Sequence, residues 1–283
     1  MGNSINHKVA VLGGGSFGTV IANIIAANGH AVSLWVRNDV LADEINASGQ
    51  NAAYLPGYKL DSNVTVSADL EGSVQDCGCV IFAVPSSAFR QIARQISGYL
   101  KKGTTVISTA KGIENATFLL PSQVLQQELS QCEIGVISGP NIAKEIADGQ
   151  ITATVVASDN DAFCSQVQEL LVSSNFRVYT NHDQFGVELA GALKNIYAIV
   201  SGITDAIGAG QNTKSVVLTR SLAEINRFAS ELGANPMTFL GLSGIGDLYV
   251  TCTSPLSRNF RVGVAIGQGK TLEQAIKDVG QVA

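Results

Sequence analysis

Short, nearly continuous apolar runs alternate with helical stretches through the first half of the chain. Runs of this kind, bounded by Gly, Pro or Ser, are typical of strands that are buried on both faces of a parallel sheet. The candidate strands are KVAVLG (8–13), AVSLWV (31–36), CVIFAVP (79–85), TTVISTA (104–110), EIGVISG (133–139) and TATVVAS (152–158). Repeated strand–helix–strand units predict right-handed crossovers and a doubly wound α/β sheet domain.

After about Asn181 the apolar positions follow helical periodicity, and no convincing strand is predicted from Gly186 onward. The run Gly186–Val200 is apolar enough for a buried helix, whereas Val216–Leu232 has the one-sided pattern of an amphipathic helix. The pattern therefore predicts two domains, a sheet domain at residues 1–185 and an all-helical domain at residues 186–283.

Composition limits the classes of partner. Charged residues make up only 14% of the 283 residues, and the formal net charge is −5, so there is no diffuse basic field for nucleic acid. No apolar run reaches the length of a membrane span, and the opening MGNSINHK contains no long apolar run. The 5 scattered cysteines and 3 dispersed histidines lack the spacing of a metal site. We expect a cytoplasmic protein with no metal, no nucleic acid and no integral membrane contact.

A glycine-rich turn follows the first predicted strand and opens the first predicted helix. Its sequence GGGSFG contains G-x-G-x-x-G at Gly13, Gly15 and Gly18. The first glycine allows a tight turn, the second lets a pyrophosphate approach the backbone, and the third lets helix and strand pack closely. An anion bound there rests on the helix N-terminus. The motif predicts a Rossmann-type dinucleotide site, with a glycine turn that binds nothing as the alternative.

The end of the second predicted strand bears on the choice of dinucleotide. NAD-selective sites usually place an acid there, which accepts hydrogen bonds from the ribose 2′-hydroxyl. Here the strand ends in Trp-Val-Arg37-Asn, and the first acid is Asp39. Arg37 can pair with a 2′-phosphate and stack on the adenine. NADP is therefore favoured over NAD, with use of both left open and an ordinary surface arginine as the alternative.

Three further polar or glycine turns follow predicted strands at their carboxyl ends. They are VPS at 84–86, the turn of Lys111 and Gly112, and SGPN at 138–141. Ligands of doubly wound sheets bind outside the carboxyl ends of the strands. We expect these loops to line one crevice.

Lys194 interrupts the buried helix predicted for Gly186–Val200. A buried ammonium is costly unless it is paired or used, although most helix lysines keep the head group in water. Two later segments favour a role. GLSGIGD ends in a single acid, Asp247, and SRN at 257–259 offers a hydroxyl, a guanidinium and an amide that suit a phosphate monoester. An ordinary polar helix start remains the alternative for SRN.

The stretches GGGSFGT, VPSSAFR, AKGIE, SGPNIAKEIA, GVELAGALKNIYAI, GLSGIGDLYVTCTSPLSRN and the closing GQVA span essentially the whole chain. In this order and spacing the chain resembles the bacterial NAD(P)-dependent glycerol-3-phosphate dehydrogenases. The resemblance implies oxidation of sn-glycerol 3-phosphate to dihydroxyacetone phosphate, or the reverse reaction, with NAD or NADP. It also implies a supply of glycerol 3-phosphate for phospholipid synthesis.

The resemblance further implies roles for individual residues. Lys194 is then the general acid/base at the carbinol oxygen, Lys111 contacts both the substrate and the nicotinamide region, and Asp247 orients the catalytic lysine and the substrate. The other implied substrate contacts are Gly139, Asn141, Ser257, Arg258 and Asn259, and the implied cofactor contacts, beside the glycines, are Ser16, Phe17, Arg37, Lys111, Ala143, Arg258 and Val282.

Two features depart from the family pattern. Position 141 is Asn where the family commonly has Thr, and the family continues past GQVA with Glu-Gly and further helices. We therefore expect the helical domain to be truncated at its C-terminus. Two alternatives to this enzyme stay open, a related hydroxyacid or sugar-acid dehydrogenase and a non-catalytic dinucleotide-sensing module. The apolar helical half makes a homodimer the expected assembly.

Overall fold

The computed structural model describes residues 8–280, and the chain divides into two compact units. One unit comprises the residues up to Ile137 together with Ala143–His182, and the other comprises Ser138–Ile142 and the residues from Asp183 onward. The first unit holds the sheet and the second is helical.

Eight strands form one sheet in the order β3-β2-β1-β4-β5-β6-β7-β8. Their bounds are β1 Lys8–Leu12, β2 Val32–Trp35, β3 Val64–Ser67, β4 Cys77–Phe82, β5 Thr105–Ser108, β6 Glu133–Ser138, β7 Thr152–Ala157 and β8 Phe176–Asn181. β1 lies between β2 and β4 and is parallel to both. The chain winds outward from β1 in two directions, which confirms the predicted doubly wound class.

Alternate residues of β1 enter separate apolar cores. Val9 and Val11 belong to one core, Ala10 and Leu12 belong to the other, and all four are inaccessible to solvent. A strand that is buried on both faces needs apolar side chains at every position. This is why the inner strands stand out as continuous apolar runs in the sequence.

The two edge strands, β3 and β8, were not among the predicted strands. In β8, Phe176 and Val178 are buried while Arg177 and Tyr179 between and after them are exposed. β3 has 4 residues and buries only Val66. Edge strands with an exposed face carry polar residues, so they break the continuous apolar pattern.

Seven α-helices accompany the sheet within the described residues. They are α1 Ser16–Ala27, α2 Asp39–Ser48, α3 Leu70–Val74, α4 Phe89–Ile96, α5 Pro121–Glu128, α6 Ala143–Ala147 and α7 Asp161–Leu171. α1 ends at Ala27, Asn28 is its C-cap, and Gly29 follows with φ +92°. A left-handed glycine of this kind is a common C-terminal stop of a helix.

The helical unit contains α8 Gln184–Ala206, α9 Gln211–Glu231, α10 Asp247–Thr253, α11 Arg258–Gly267 and α12 Leu272–Val279. α8 and α9 confirm that both predicted segments are helical, and no strand occurs between Asp183 and Gly280. α8 is buried along its first part, residues 186–191, and at Lys194, but it exposes Ile196 and Val200, so the prediction of a buried helix holds only in part. Across residues 8–280, no helix has both the length and the apolar character that spanning a membrane requires.

Candidate functional site

In the glycine loop between β1 and α1, two glycines lie so close to neighbouring backbone atoms that a side chain would not fit. Gly13 has φ +118°, and a Cβ there would lie 2.5 Å from the carbonyl oxygen of Ala83. A Cβ on Gly18 would lie 1.9 Å from the carbonyl oxygen of Gly13. At Gly15, by contrast, a Cβ would meet no atom within 4 Å. The loop therefore has an open face at a helix N-terminus, which fits a pyrophosphate.

Of two more loops at the carboxyl edge of the sheet, one packs against the glycine loop and the other packs against the first. After β4, the Val84 Cγ1 atom lies 2.9 Å from the Cβ position of Gly13. After β5, a Cβ on Gly112 would lie 2.6 Å from Ser86 Oγ. The turn that carries Lys111 is thus held against the VPS turn. Within the sheet unit, the expected crevice loops lie together at one edge.

An ion-pair network anchors the turn that carries Lys111. Arg90 donates from Nε and Nη2 to the two carboxylate oxygens of Glu114 at 2.9 and 2.8 Å, and it also pairs with Glu128. Arg94 donates from Nε and Nη2 to the two carboxylate oxygens of Glu128. The hydrogen bonds from Arg90 lower the pKa of Glu114 to about 2. This network, three residues beyond Lys111, was not predicted from the sequence.

Arg37 follows β2 as an exposed side chain, and it takes part in none of the ion pairs found within residues 8–280. Its neighbour Asn38 is the N-cap of α2, because its Oδ1 accepts hydrogen bonds from the backbone N–H groups of Val40 and Leu41 at 2.8 and 3.4 Å. Asp39 is the first residue of α2. Arg37 is therefore available to a phosphate at the end of this strand.

Lys194 and Asp247 meet inside the helical unit. The Lys194 ammonium donates to Asp247 Oδ1 and, at 2.6 Å, to Thr251 Oγ1. The Thr251 hydroxyl in turn donates to the backbone oxygen of Asp247 at 2.6 Å. The side chains of Lys194 and Asp247 are only 7% and 1% exposed. The lysine head group is therefore buried and ion-paired, and the alternative of a lysine that reaches bulk water is wrong.

Apolar residues surround this polar group. The region around Lys194 is lined by Ala190, Leu222, Ile225, Phe239, Gly244 and Leu248. Charges that face one another in such low-dielectric surroundings interact more strongly than they would in water. The pair therefore has the burial and the partner that a functional ammonium needs.

A π-helix at Leu242–Gly246 leads directly into Asp247. The N–H of Gly246 donates to the oxygen of Gly241 at 3.2 Å, which is the i→i+5 bond of such a turn. A Cβ on Gly244 would lie 2.2 Å from the oxygen of Phe239, so only glycine permits this close approach. The glycine-rich sequence thus places Asp247 at the start of α10.

α10 then supplies the third polar group. Thr251 lies four residues after Asp247, so the two side chains project from the same face of the helix. Both contact Lys194 on α8. The sequence analysis gave Thr251 no role, although the i, i+4 spacing from an acid was a signal that could have found it.

α8 and α11 run in the same direction where they pack, and glycines of α11 allow the close contact. A Cβ on Gly263 would lie 2.0 Å from the oxygen of Ile199, and a Cβ on Gly267 would lie 3.1 Å from the oxygen of Ile203. Contacts therefore advance together along both helices. Lys194 on α8 and Arg258 on α11 both lie on the N-terminal side of these contacts.

The start of α11 combines a helix cap with basic and amide side chains. Ser257 Oγ accepts a hydrogen bond from the N–H of Phe260 at 3.3 Å, and Arg258 and Asn259 occupy the first turn. Desolvation, and then the charge of Arg261, lower the pKa of Arg258. The first N–H groups of a helix lack intrahelical partners and favour anions. The trio is thus both a polar helix start and a group suited to phosphate.

Residues Ser138–Ile142 belong to the helical unit although they follow β6. Gly139 has φ +145°, a conformation that favours glycine. Pro140 Cγ lies 3.9 Å from the Cβ position of Gly246, the residue before Asp247. This segment therefore places Gly139 and Asn141 near the start of α10.

The remaining expected contacts are distributed as follows. Ser16 and Phe17 begin α1 beside the glycine loop, and Ala143 begins α6, which packs against α1. Val282 lies outside the described residues. The ligand contacts assigned to all of these residues stay predictions.

The mostly parallel sheet with its glycine loop, and the helical unit with its buried lysine–aspartate pair, define a dinucleotide-dependent dehydrogenase. The family model for the N-terminus of NAD-dependent glycerol-3-phosphate dehydrogenase matches residues 8–164, and the model for its C-terminus matches residues 183–283. The chain belongs to this family.

Individual relatives agree with this assignment. The chain is 55% identical over 280 residues to glycerol-3-phosphate dehydrogenase [NAD(P)+] of Saccharophagus degradans, which covers 99% of this chain and 78% of the relative. It is 54% identical to the protein of the same name from Teredinibacter turnerae, over 100% of this chain and 83% of the relative. The crystal structure of glycerol-3-phosphate dehydrogenase from Coxiella burnetii superposes with a TM-score of 0.94 at 37% identity, over 98% of this chain and 85% of that chain.

Proposed function

We propose that this chain interconverts dihydroxyacetone phosphate and sn-glycerol 3-phosphate by hydride transfer, with NADP or NAD as the cofactor. The observation that carries the proposal is the buried pair of Lys194 and Asp247, which lies in the same helical unit as the start of α11. A proton donor and an anion-binding helix start in one unit suit a substrate with a phosphate at one end and a carbinol or carbonyl beyond it. Membership of the family supports this substrate.

Reduction adds a hydride to the carbonyl carbon of dihydroxyacetone phosphate and a proton to its oxygen. The products are sn-glycerol 3-phosphate and the oxidised dinucleotide. The hydride comes from the dihydronicotinamide when the cofactor is bound. Lys194 stabilises the negative charge that develops on the carbonyl oxygen and then donates the proton. In the opposite direction the neutral amine accepts the hydroxyl proton.

The other site residues orient these groups. Asp247 and Thr251 fix the direction of the Lys194 ammonium through the hydrogen bonds that they accept. Ser257, Arg258 and Asn259 bind the phosphate. Gly139 and Asn141 contact the substrate, and Lys111 contacts both the substrate and the nicotinamide region.

Most of the residues that hold the dinucleotide in this proposal belong to residues 1–185. Gly13, Gly15 and Gly18 leave the open face that fits the pyrophosphate, with Ser16 and Phe17 at the helix start. Ala143, Arg258 and Val282 add contacts. Arg37 binds the 2′-phosphate, so NADP is the preferred cofactor. The family models are described as NAD-dependent, whereas the names of the two relatives carry NAD(P)+ and so cover both dinucleotides.

Oxidation of NADPH in the presence of dihydroxyacetone phosphate tests the proposal directly through the nicotinamide absorbance. In the oxidative direction, sn-glycerol 3-phosphate is compared with glycerate, which presents a carboxylate instead of a phosphate. We expect turnover with the phosphate compounds only. Turnover with glycerate alone would support the hydroxyacid dehydrogenase. Dinucleotide binding without turnover of any substrate would support the sensing module.

The assembly and the cellular role complete the proposal. Large apolar side chains of the helical unit are exposed, among them Phe228 at 52%, Met237 at 67% and Leu240 at 58%. Such surfaces favour association, so we expect a homodimer, which sedimentation equilibrium would detect. The proposed location is the cytoplasm, where the product supplies phospholipid synthesis.

A further inference from the structure

A segment that the catalytic scheme does not use lies along the dinucleotide loop. We name residues 49–61, which follow α2, the strap. The Ser16 hydroxyl donates to the backbone oxygen of Tyr54 at 3.0 Å. Farther along α1, the Asn23 amide donates to the oxygen of Lys59 at 3.3 Å and accepts from the N–H of Asp61 at 2.5 Å. The strap is therefore tied to α1 at two levels.

Asn51 is the strap residue that reaches the glycine loop itself. It is 0% exposed. Its amide nitrogen donates to the carbonyl oxygen of Gly14 at 2.7 Å and to Thr19 Oγ1 at 2.8 Å. A carbonyl oxygen only accepts hydrogen bonds, so the NH2 group must be the end of the amide that faces Gly14. The orientation of this side chain is therefore fixed by chemistry.

This hydrogen bond sets the direction of a peptide plane. In a planar trans peptide, the C=O of one residue and the N–H of the next point in opposite directions. The Gly14 carbonyl points toward the buried Asn51 amide, so the N–H of Gly15 points away from that amide. Gly15 is also the loop position where a Cβ would meet no atom within 4 Å. The Gly15 N–H thus points away from Asn51, and it belongs to the loop residue that has open space beside it.

We propose that Asn51 is a positioning residue for dinucleotide binding, which holds the Gly14–Gly15 peptide so that the Gly15 N–H faces the pyrophosphate. The inference rests on the proposed function, because it requires that the loop bind NADP or NAD. Asn51 acts through the backbone of the loop and does not itself contact the cofactor.

The other end of the amide supports this role. Asn51 Oδ1 accepts no hydrogen bond from any of the residues that the structure describes. An unsatisfied buried acceptor costs stability, so the residue does not fit a purely stabilising role. The two bonds made by its nitrogen account for an amide at this position.

NADPH titrations that follow nicotinamide fluorescence test the inference on Asn51→Ala and on Asn23→Ala, with the wild-type chain beside them. Asn23→Ala removes an amide of α1 that holds the same strap, without touching the glycine loop. For Asn51→Ala we expect the NADPH Kd to rise about ten-fold, the loss of about one hydrogen bond to a charged group. Turnover at saturating NADPH and the KM for dihydroxyacetone phosphate should stay within about two-fold, because Asn51 acts on the loop alone. Asn23→Ala should keep the wild-type Kd.

An unchanged Kd in Asn51→Ala would overturn the inference, as would an equal loss of affinity in Asn23→Ala. If Asn51→Ala does not fold, Thr19→Val removes the second partner of the amide and is expected to raise the Kd about three-fold; an unchanged Kd there would also overturn it. A wild-type chain that binds neither NADPH nor NADH would overturn the proposed function, and the positioning role with it.

Discussion

Lys194 on α8 and Asp247 at the start of α10 form an ion pair in which neither side chain has more than 7% of its surface exposed. Withdrawing two charges from water is costly, and each charge compensates for the burial of the other. The removal of one partner leaves the second buried without compensation. The pair is therefore expected to contribute to stability as well as to chemistry.

Asp247→Asn is expected to lower the free energy of unfolding by about 3–5 kcal/mol, since it leaves a buried ammonium without its counter-charge. Urea denaturation monitored by circular dichroism measures the change. Asp205→Asn is the matched control, because it breaks the exposed pair Lys214–Asp205, whose side chains are 34% and 42% exposed. That change should cost no more than about 1 kcal/mol. Equal losses in the two variants would contradict a special contribution of the buried pair.

Lys194→Ala is expected to lower kcat by about 10²–10⁴, the usual contribution of a general acid/base. Dinucleotide affinity should stay close to that of the wild type, because the glycine loop lies in the other unit. Steady-state assays and an NADPH titration measure the two quantities, and NADPH binding also reports that the variant is folded. Lys214→Ala, which removes a partly exposed lysine, should leave kcat unchanged. Near-normal turnover in Lys194→Ala would rule out the proton-transfer role.

Gly244→Ala is expected to disturb the π-helix that precedes Asp247, because the new Cβ would lie 2.2 Å from the backbone oxygen of Phe239. We expect a lower Tm and a loss of turnover together. Gly246→Ala, two residues along in the same turn, would meet no atom closer than 3.7 Å and has φ −61°. It should behave like the wild type in differential scanning calorimetry and in the steady-state assay. A normal Gly244→Ala enzyme would show that this turn tolerates a side chain.

The sequence predicted those parts of the molecule in which a run of neighbouring residues shows directly how the segment is buried. The inner strands are buried on both faces, so they are continuously apolar, whereas β8 alternates Phe176 and Val178 with exposed residues and resembles a loop. The ion pair of Lys194 depended on the family pattern, because residues 53 positions apart show no local signal for contact. Asn51, 37 positions from Gly14, was missed for the same reason.

The bidentate pair of Arg90 and Glu114 predicts a specific acid sensitivity. The pKa of Glu114 is lowered from its ordinary value of 4.5 to about 2 by the hydrogen bonds from Arg90. A carboxyl whose pKa is depressed on folding stabilises the fold above its unfolded pKa, and this contribution is lost as the pH falls toward the folded pKa. The stability difference between the wild type and Glu114→Gln should therefore be constant above about pH 5 and shrink from pH 4.5 toward about 2.

Thermal unfolding at a series of pH values measures this difference. Glu273→Gln serves as the control, since Glu273 lies exposed in the first turn of α12 and forms none of the ion pairs found within residues 8–280. Its difference from the wild type should be small and should show no comparable loss over the same interval. A Glu114→Gln difference that stays constant down to about pH 3 would contradict the link to this carboxyl.

Arg37→Ala is expected to shift the cofactor preference of the enzyme from NADP toward NAD. Arg37 is exposed at the end of β2, and the neighbouring Asn38 is committed to capping α2. Loss of a charge-assisted contact to the 2′-phosphate should raise the KM for NADPH by about ten- to hundred-fold, equivalent to about 1.5–3 kcal/mol. The KM for NADH should hardly change, since NADH has no phosphate there.

Arg177→Ala is the control for this prediction. It removes an exposed arginine from β8, six strands away in the sheet order, and should alter neither value. Equal increases for NADPH and NADH in Arg37→Ala would show that the arginine does not distinguish the two dinucleotides.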